Sequence, residues 1–395
     1  MKFFRGHNTM KRALIIANAA SMVHLFNQEN VTLLIEQGYE VHVACNFIEG
    51  NTISDAAVQA ARKSWEERGI ICHQIDFLRT PFSFKSFALY KRVKELIRGI
   101  GFDLIHCHTP IVSIFARFAA RKMRKKGKTR MIYTAHGFHF YTGAPLKNWL
   151  IFYTMEWLCS FHTDVIITIN EEDYKRSKKR FHAVRTEYIP GIGIDYLSIR
   201  DIRPDKKEYL AEFGVGDKPV LISVGELSDR KNHIVMLKAL KDIDKPFVYI
   251  IAGRGYNDEM LKAKIEEYGL SDKVVMAGFR TDVKELLACS DIFCFPSIQE
   301  GLPVALMEAM ASGLPAVASD IRGNTDLIDQ KGGVLCDAFD VDGFRKGVEM
   351  LLSDEKLRRE FGEHNLERIE EFSIDIVRHK LNKLYFDEVK EQASV

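Results

Sequence analysis

Ten short apolar runs, separated by stretches long enough to coil into helices, set the strongest limit on how this chain can fold. In the first half they are ALIIANA (13–19), EVHVACN (40–46), LIHCHT (104–109), RMIYTAHG (130–137) and DVIITIN (164–170). The second half repeats the pattern with PVLISVG (219–225), FVYIIAG (247–253), KVVMAGF (273–279), DIFCFPS (291–297) and PAVASD (315–320). Few of these runs alternate apolar with polar, which is how a strand reads when both faces of its sheet are covered. Strands that take turns with helices assemble into parallel sheets. Between the first two runs, FNQENVTLLIEQGYE supplies such a helix, and Gly38 suits its left-handed cap.

At 395 residues the chain exceeds the reach of one core. The repetition therefore predicts an α/β protein of two doubly wound, Rossmann-like domains of nearly equal size. Pro190, Gly191, Gly193 and Pro204 punctuate the junction, giving a first domain at 11–195 and a second at 196–372. A flexible lead over 1–10 precedes them, and a last helix, SIDIVRHKLNKLYFDEV, lies in the tail 373–395. Ligands of such sheets bind beyond the carboxyl ends of the strands, so a cleft between the domains is the expected site.

Apolar content of 46% with 28% charged residues is that of a soluble globular protein. The seven cysteines form no C-x-x-C pair, which argues against a zinc or disulfide framework and for a reducing compartment. WLIFYTMEWLCSF (149–161) is too short to span a bilayer and carries Glu156. It reads as a buried amphipathic helix, with a membrane-dipping helix as the rival. No signal-peptide pattern opens the chain, so a cytoplasmic location is expected. Up to residue 195 there are 28 Lys plus Arg against 17 Asp plus Glu, a balance of +11; the remaining 28 against 37 give −9. Opposite signs suggest different partners for the two domains. Much of the positive charge lies in IFARFAARKMRKKGKTR, with Arg117, Arg121, Arg124 and Lys128 at helical spacing, Lys125 among them, and no acid from 114 to 130. Like charges so placed cost helix stability. An anionic membrane surface is the favoured partner for this face and peripheral association with the inner leaflet the expected consequence; a solvated face is the alternative. Nucleic acid is not expected, since interleaved aromatics and a known binding module are lacking.

The strand ends of the second half carry the chemistry. ELSDRKNH sets Arg230 and Lys231 between a strand and a helix, where two cations suit a diphosphate, a solvated basic loop being the plainer alternative. Gly253 and Gly255 allow close backbone approach of a ligand, although G-x-G alone is weak evidence. Arg280 stands where a nucleobase would stack or meet backbone amides. In QEGLPVALMEAM, Glu300 falls at a strand end, Pro303 suits the first turn of a helix, and Gly301 and Leu302 present N–H groups at its start. Glu308 follows inside an apolar stretch. A carboxylate there needs a partner, and a pair of ligand hydroxyls would serve. In the first half His136 ends a strand before Gly137. His106 and His108 point the same way from their strand, but no third ligand is evident and a metal is not expected.

Together these residues resemble the retaining glycosyltransferases of family 4, which have the GT-B fold. The family's E-x7-E hallmark is matched by Glu300 and Glu308 in EGLPVALME; GELSDRKNH, AGRG, AGF, SGLPAVASDIRG and TAHGF match further motifs in order. HGFHFYTGAPLKNW is similar to enzymes of bacterial exopolysaccharide or capsule assembly. The resemblance implies that Glu308 binds the ribose hydroxyls of a nucleotide and that Glu300 meets the sugar. It implies that Arg230 and Lys231 hold the diphosphate, that Gly301, Leu302 and Pro303 line the sugar pocket, and that Gly253, Arg254, Gly278, Phe279 and Arg280 surround the nucleotide. His136 would touch the donor sugar, and the C-terminal helix would cross back to the first domain. Transfer would retain the anomeric configuration, without metal or cofactor, from a nucleotide sugar (a UDP-sugar is expected) to a polyprenyl-diphosphate-linked saccharide. Many members have a glycine-rich loop after the first strand; here Ala20, Ser21 and Met22 occupy it without a glycine, which bears on the acceptor side. A nucleotide-sugar 2-epimerase of the same fold would need catalytic carboxylates in the first domain, where histidines stand instead. A non-catalytic nucleotide-sugar-binding subunit is the other alternative, and the intact Glu300/Glu308 pair argues against it. A dinucleotide oxidoreductase is disfavoured by the missing G-x-G-x-x-G.

Overall fold

The computed structural model describes residues 10–77 and 85–386; most of the expected N-terminal lead and the end of the tail lie outside them. The chain forms two compact units, one comprising residues up to Ile192 together with those from Val377 onward, the other Gly193–Ile376. The chain thus changes unit three residues before the expected junction, and returns four residues after it.

In the first unit the strands are β1 (Arg12–Ala19), β2 (Glu40–Asn46), β3 (Ile71–Gln74), β4 (Leu104–His108), β5 (Arg130–Ala135), β6 (Val165–Thr168) and β7 (Arg185–Tyr188). They form one sheet in the order β3-β2-β1-β4-β5-β6-β7. Every pairing is parallel, as in Ile15 opposite both Val43 and His106. Both faces are covered: Ala13, Ile15 and Ala17 pack to one side, Leu14 and Ile16 to the other. That double burial is why the strands alternate so weakly.

The second unit holds β8 (Val220–Val224), β9 (Val248–Ala252), β10 (Val274–Gly278), β11 (Ile292–Phe295), β12 (Ala316–Ser319) and β13 (Gly333–Cys336). Its order is β10-β9-β8-β11-β12-β13, again wholly parallel. In each sheet the winding reverses between two central strands, β1 and β4 in the first and β8 and β11 in the second. Their carboxyl ends open a crevice suited to a ligand.

The last helix, Ile374–Phe386, joins the first unit's core through Val377, Leu381, Leu384 and Tyr385. Arg378 pairs with Glu29 (2.6 Å) and Glu36 (2.5 Å) on the Gln28–Glu36 helix. The WLIFY stretch departs from expectation. The helix begins at Leu146, takes a π-helical turn over Trp149–Tyr153 and continues as Thr154–Ser160. Its carboxylate Glu156 is buried, while Leu150, Ile151, Leu158 and Phe161 are exposed.

Candidate functional site

The second unit gathers most of the expected site residues at its switch point. From the end of β8 the chain turns through Asp229–Lys231 and enters the His233–Leu240 helix. Asn232 holds the left-handed conformation between them, with φ of 52°, and its side-chain amide donates to the carbonyls of Pro296 (3.2 Å) and Ala338 (2.7 Å). Asparagine is among the few residues that tolerate that geometry. The turn is also fastened from the β9 loop: the Asp229 amide donates to the Tyr256 hydroxyl at 3.0 Å, and Asn257 to the Asp229 carboxylate at 2.8 Å.

The result is a cation pair closed on one carboxylate. Lys231 Nζ and Arg230 Nη1 reach the same oxygen, Glu300 Oε1, at 2.8 and 2.9 Å. Lys231 also lies over the Phe295 ring, 4.5 Å from its centroid. Burial pushes the lysine's pKa down, and the charge of Glu300 opposes that shift. Arg230 is half exposed and also donates to the Gln299 carbonyl (3.1 Å). Two cations on one anion leave a net positive cluster, which suits an incoming diphosphate.

Glu308 sits one and a half turns into the Val304–Ala311 helix. Pro303 is the residue before this helix rather than in its first turn, with extended backbone at φ −79° and ψ 118°. Leu302 and Pro303 are buried, so they can offer a ligand only backbone groups. Among the described residues no group hydrogen-bonds to the Glu308 carboxylate. Burial raises its pKa, countered by the charge of Lys284. A half-buried carboxylate to which no protein group donates keeps its full capacity to accept hydrogen bonds. Around it, Gly323 supports the Gly301 turn: a Cβ there would lie 2.5 Å from the Gly301 carbonyl oxygen.

The nucleotide contacts expected along β9 and β10 divide. Arg254 lies over the exposed Phe279 ring, 4.8 Å from its centroid. Arg280 is engaged inside the unit: Asp282 (2.6 and 2.8 Å) and Glu212 (3.0 Å) hold its guanidinium and keep its pKa above the ordinary value. Its side chain is therefore committed to the protein rather than to a base. Gly253 is needed for packing, not chiefly for ligand approach. A Cβ there would fall 1.8 Å from the Gly225 carbonyl oxygen, and at Gly255 2.2 Å from that of Leu227. The two loops run hydrogen-bonded beyond the strands, Gly225 N to Ala252 O at 3.0 Å and Leu227 N to Arg254 O at 3.1 Å. The Gly278 carbonyl accepts from Gly253 N at 2.8 Å.

In the first unit the switch point carries a cavity of about 350 Å³, lined in part by Ser21, Met22, Phe26, Thr109, His139 and Phe152. Ala20 and Ser21, in the expected acceptor loop, are buried, and the Ser21 amide donates to Asn51 Oδ1 at 2.9 Å. Thr109 was not singled out by sequence, yet it adopts φ 66° and ψ 136°, strained for a β-branched residue. Its buried hydroxyl has no partner among the described residues. His136 is partly buried beside the Gly137 turn, with Nε2 3.1 Å from His108 Nδ1. Burial pushes its pKa down to about 4, so it is neutral at pH 7. His106 is pushed to about 3 by burial. Tyr385 donates to Asn30 (2.8 Å), which fixes His106 Nδ1–H as donor to Tyr385 (2.7 Å) and Thr134 as donor to its Nε2 (2.7 Å). No group of three or more His, Cys, Asp or Glu among the described residues could hold a metal ion.

Two of the expected membrane-facing cations turn inward. Arg117 is fully buried: it donates to Glu156 (2.8 Å) and Ser113 (2.8 Å) and stacks over Tyr133 at 4.2 Å. The helix phase that sequence spacing suggested points this residue to the core. Arg124 pairs with Asp164 at 2.8 Å and is mostly covered, whereas Arg121, Lys125 and Lys128 are exposed. A larger hollow of about 550 Å³ lies at the opposite strand ends of the second unit, beside Pro219 and Pro315. Its Lys206 and Lys207 are paired with Asp291 (2.8 Å) and Asp217 (3.1 Å), and it has no part in the site.

Two Rossmann-like units, one with a cation pair clasped by a carboxylate at its switch point, define the GT-B class of glycosyltransferases. Family models for glycosyl transferases group 1 and for glycosyl transferase 4-like domains match residues 205–368 and 12–170. EpsD of Bacillus subtilis (strain 168), named as a glycosyltransferase, is 35% identical over 86% of each chain. An Escherichia coli relative named UDP-Gal:alpha-D-GlcNAc-diphosphoundecaprenol alpha-1,3-galactosyltransferase is 26% identical over 93% of this chain and 94% of its own. Among solved structures, Anabaena Alr3699/HepE in complex with UDP shares the fold, with a TM-score of 0.75 at 17% identity over 95% of this chain and 99% of that one. The chain belongs to the group 1, family 4-like glycosyltransferases.

Proposed function

We propose that the protein transfers a sugar, with retention of anomeric configuration, from a UDP-sugar to a polyprenyl-diphosphate-linked saccharide during exopolysaccharide or capsule assembly. The observation that carries this reading is the cluster at the second unit's switch point: Arg230 and Lys231 fixed by Glu300, with Glu308 unmatched nearby. In this account the cations neutralise the diphosphate as it leaves, which makes a metal unnecessary, and Glu308 accepts from both ribose hydroxyls. Glu300 holds the cations through Oε1 and turns Oε2 to a sugar hydroxyl. The exposed Phe279, backed by Arg254, offers a base a stacking face. The bond from the anomeric carbon to the diphosphate oxygen breaks as the acceptor oxygen attacks from the same face, and the acceptor's proton passes to that leaving oxygen. No protein base is required, and a His136 whose pKa is lowered to about 4 is a weak base that serves as a hydrogen-bonding partner.

The nature of donor and acceptor draws on the relatives. The E. coli relative's name specifies UDP-Gal and a diphosphoundecaprenol-linked sugar, and a Campylobacter jejuni relative's name also includes a diphospho-undecaprenol-linked saccharide. A panel of nucleotide sugars, each supplied with lipid-linked acceptors in excess EDTA, tests the reading. It predicts one preferred UDP-sugar and a product whose anomeric signal in NMR matches the donor's. An inverted product, or activity only after a divalent cation is restored, would contradict it.

A further inference from the structure

Directly after β1, in the stretch that has no glycine, the chain forms a short helix, Ala20–Phe26. Seven residues are too few to hold a helix by themselves. Ala19 gives it no side-chain cap, and its first turn has no acid. Yet Ser21, Met22 and Phe26 all line the first unit's cavity, so the placement of this helix decides the cavity's shape. Something outside the helix has to fix it.

A buried series of hydrogen bonds crosses the core to reach it. Thr134 on β5 donates to His106 Nε2 (2.7 Å), and His106 Nδ1–H donates to the Tyr385 hydroxyl (2.7 Å). Tyr385 donates to Asn30 Oδ1 (2.8 Å), Asn30 Nδ2 to Asn27 Oδ1 (2.8 Å), and Asn27 Nδ2 to the Met22 carbonyl (2.9 Å). Every donor points the same way along the series, so each bond polarises and strengthens the next. All five side chains are buried, His106 and Asn27 almost completely. Asn27 is also the joint between two helices. Its amide donates to the Val23 carbonyl (3.0 Å), and its own carbonyl accepts from the Val31 amide (3.2 Å) in the Gln28–Glu36 helix.

Val377, Leu381 and Leu384 already dock the last helix by apolar contact. Burying five polar side chains beside them costs desolvation that an apolar filling would avoid. A polar series does something that apolar contact does not: it fixes one arrangement, because a shift leaves a buried donor unpaired. Here its final acceptor is the backbone of Met22, in the cavity wall. The same wall is held from its other side, where the Ser21 amide donates to Asn51 Oδ1 (2.9 Å) and the Ser21 hydroxyl accepts from the Thr52 amide (3.2 Å).

We propose that Asn27, Asn30 and Tyr385 are positioning residues for the acceptor: through them the last helix keeps Met22 and Phe26 in place in the cavity wall without touching the acceptor itself. The inference deepens the acceptor reading above, and takes this cavity as the seat of the acceptor saccharide.

Hydrogen exchange of the full chain, without donor or acceptor, is compared with that of Tyr385→Phe and Asn30→Leu. Transfer to detergent-dispersed lipid-linked acceptors is then measured well below each melting temperature. Both variants exchange the amides of residues 20–27 about tenfold faster than wild type, and both raise the acceptor KM about tenfold with UDP affinity unchanged. Val377→Ala loosens the same helix but leaves the polar series whole; it lowers the melting temperature and keeps the wild-type acceptor KM. Unchanged exchange over residues 20–27 in both variants would overturn the proposal. So would faster exchange with an unaltered acceptor KM, or an equal rise of acceptor KM in Val377→Ala, since the series would then be merely structural. A wild type that transfers nothing to any lipid-linked acceptor would contradict the acceptor reading, while the exchange rates would still decide whether the series holds the helix.

Discussion

Glu300 does two things at once, and its substitution separates them. Its removal takes away the anchor of Arg230 and Lys231 but also a negative charge beside the expected diphosphate, and these act oppositely on nucleotide binding. Glu300→Ala is expected to slow transfer by about 100-fold while UDP affinity changes far less; equal losses in kcat and affinity would remove its sugar-facing role. Gly253 is a different kind of residue, since a Cβ would overlap the Gly225 carbonyl at 1.8 Å. Gly253→Ala should break the hydrogen-bonded loops after β8 and β9 and lower the stability of the second unit by about 2–4 kcal/mol. A denaturant titration showing no loss would mean that the loops part without cost. At this scale the sequence showed the residue types clearly and their company poorly. Glu300, Arg230 and Lys231 were recognisable from position at strand ends, and they do meet. Arg117 was misplaced because a run of cations looks alike on every helix face, and only Glu156, 39 residues away, says which face is inside. Thr109 carried no sequence signal, because strained backbone leaves none.

The elements were legible in proportion to their burial. All ten apolar runs became strands. β3, β7 and β13 were not foreseen, because ICHQ, RTEY and GVLC are short, partly exposed strands at the sheet edges. The last helix was visible as a helix, but what fixes it was not. Tyr385, buried at its end, joins His106 on β4 to Asn30 on the Gln28–Glu36 helix. Tyr385→Phe leaves two buried polar groups without a partner, and unfolding of the first unit should become easier by about 1–3 kcal/mol. An unchanged denaturation midpoint would show that apolar contact alone docks the helix. The Leu146–Ser160 segment was misread for a reason that the structure makes plain. An apolar helix with one glutamate is assumed to turn the charge outward, and here a buried arginine draws it in.

For the whole molecule, the balance is +11 up to residue 195 and −9 beyond it, and Arg230 and Lys231 form a local cation pair within that acidic second half. The first unit also concentrates neutral histidines: burial lowers His136 to about 4 and His106 to about 3, and holds His108 well below its ordinary value. Since these lie below the unfolded value of about 6.5, the unfolded chain binds more protons as pH falls. Their contribution to stability is complete above pH 6.5 and is lost progressively toward pH 4 and below. At pH 5, His136 alone should cost about 2 kcal/mol relative to pH 7. Urea titrations at the two pH values check this; identical stabilities, or an equal pH slope in His136→Asn, would contradict it. The claim on which the rest depends is that the second unit binds a nucleotide sugar through Glu308 as well as through its cations. Calorimetric titration of UDP into the full chain and into Glu308→Ala tests it most directly. The account predicts measurable binding that weakens by tenfold or more, about 1.4 kcal/mol, in the variant; equal affinity in the two proteins would contradict it.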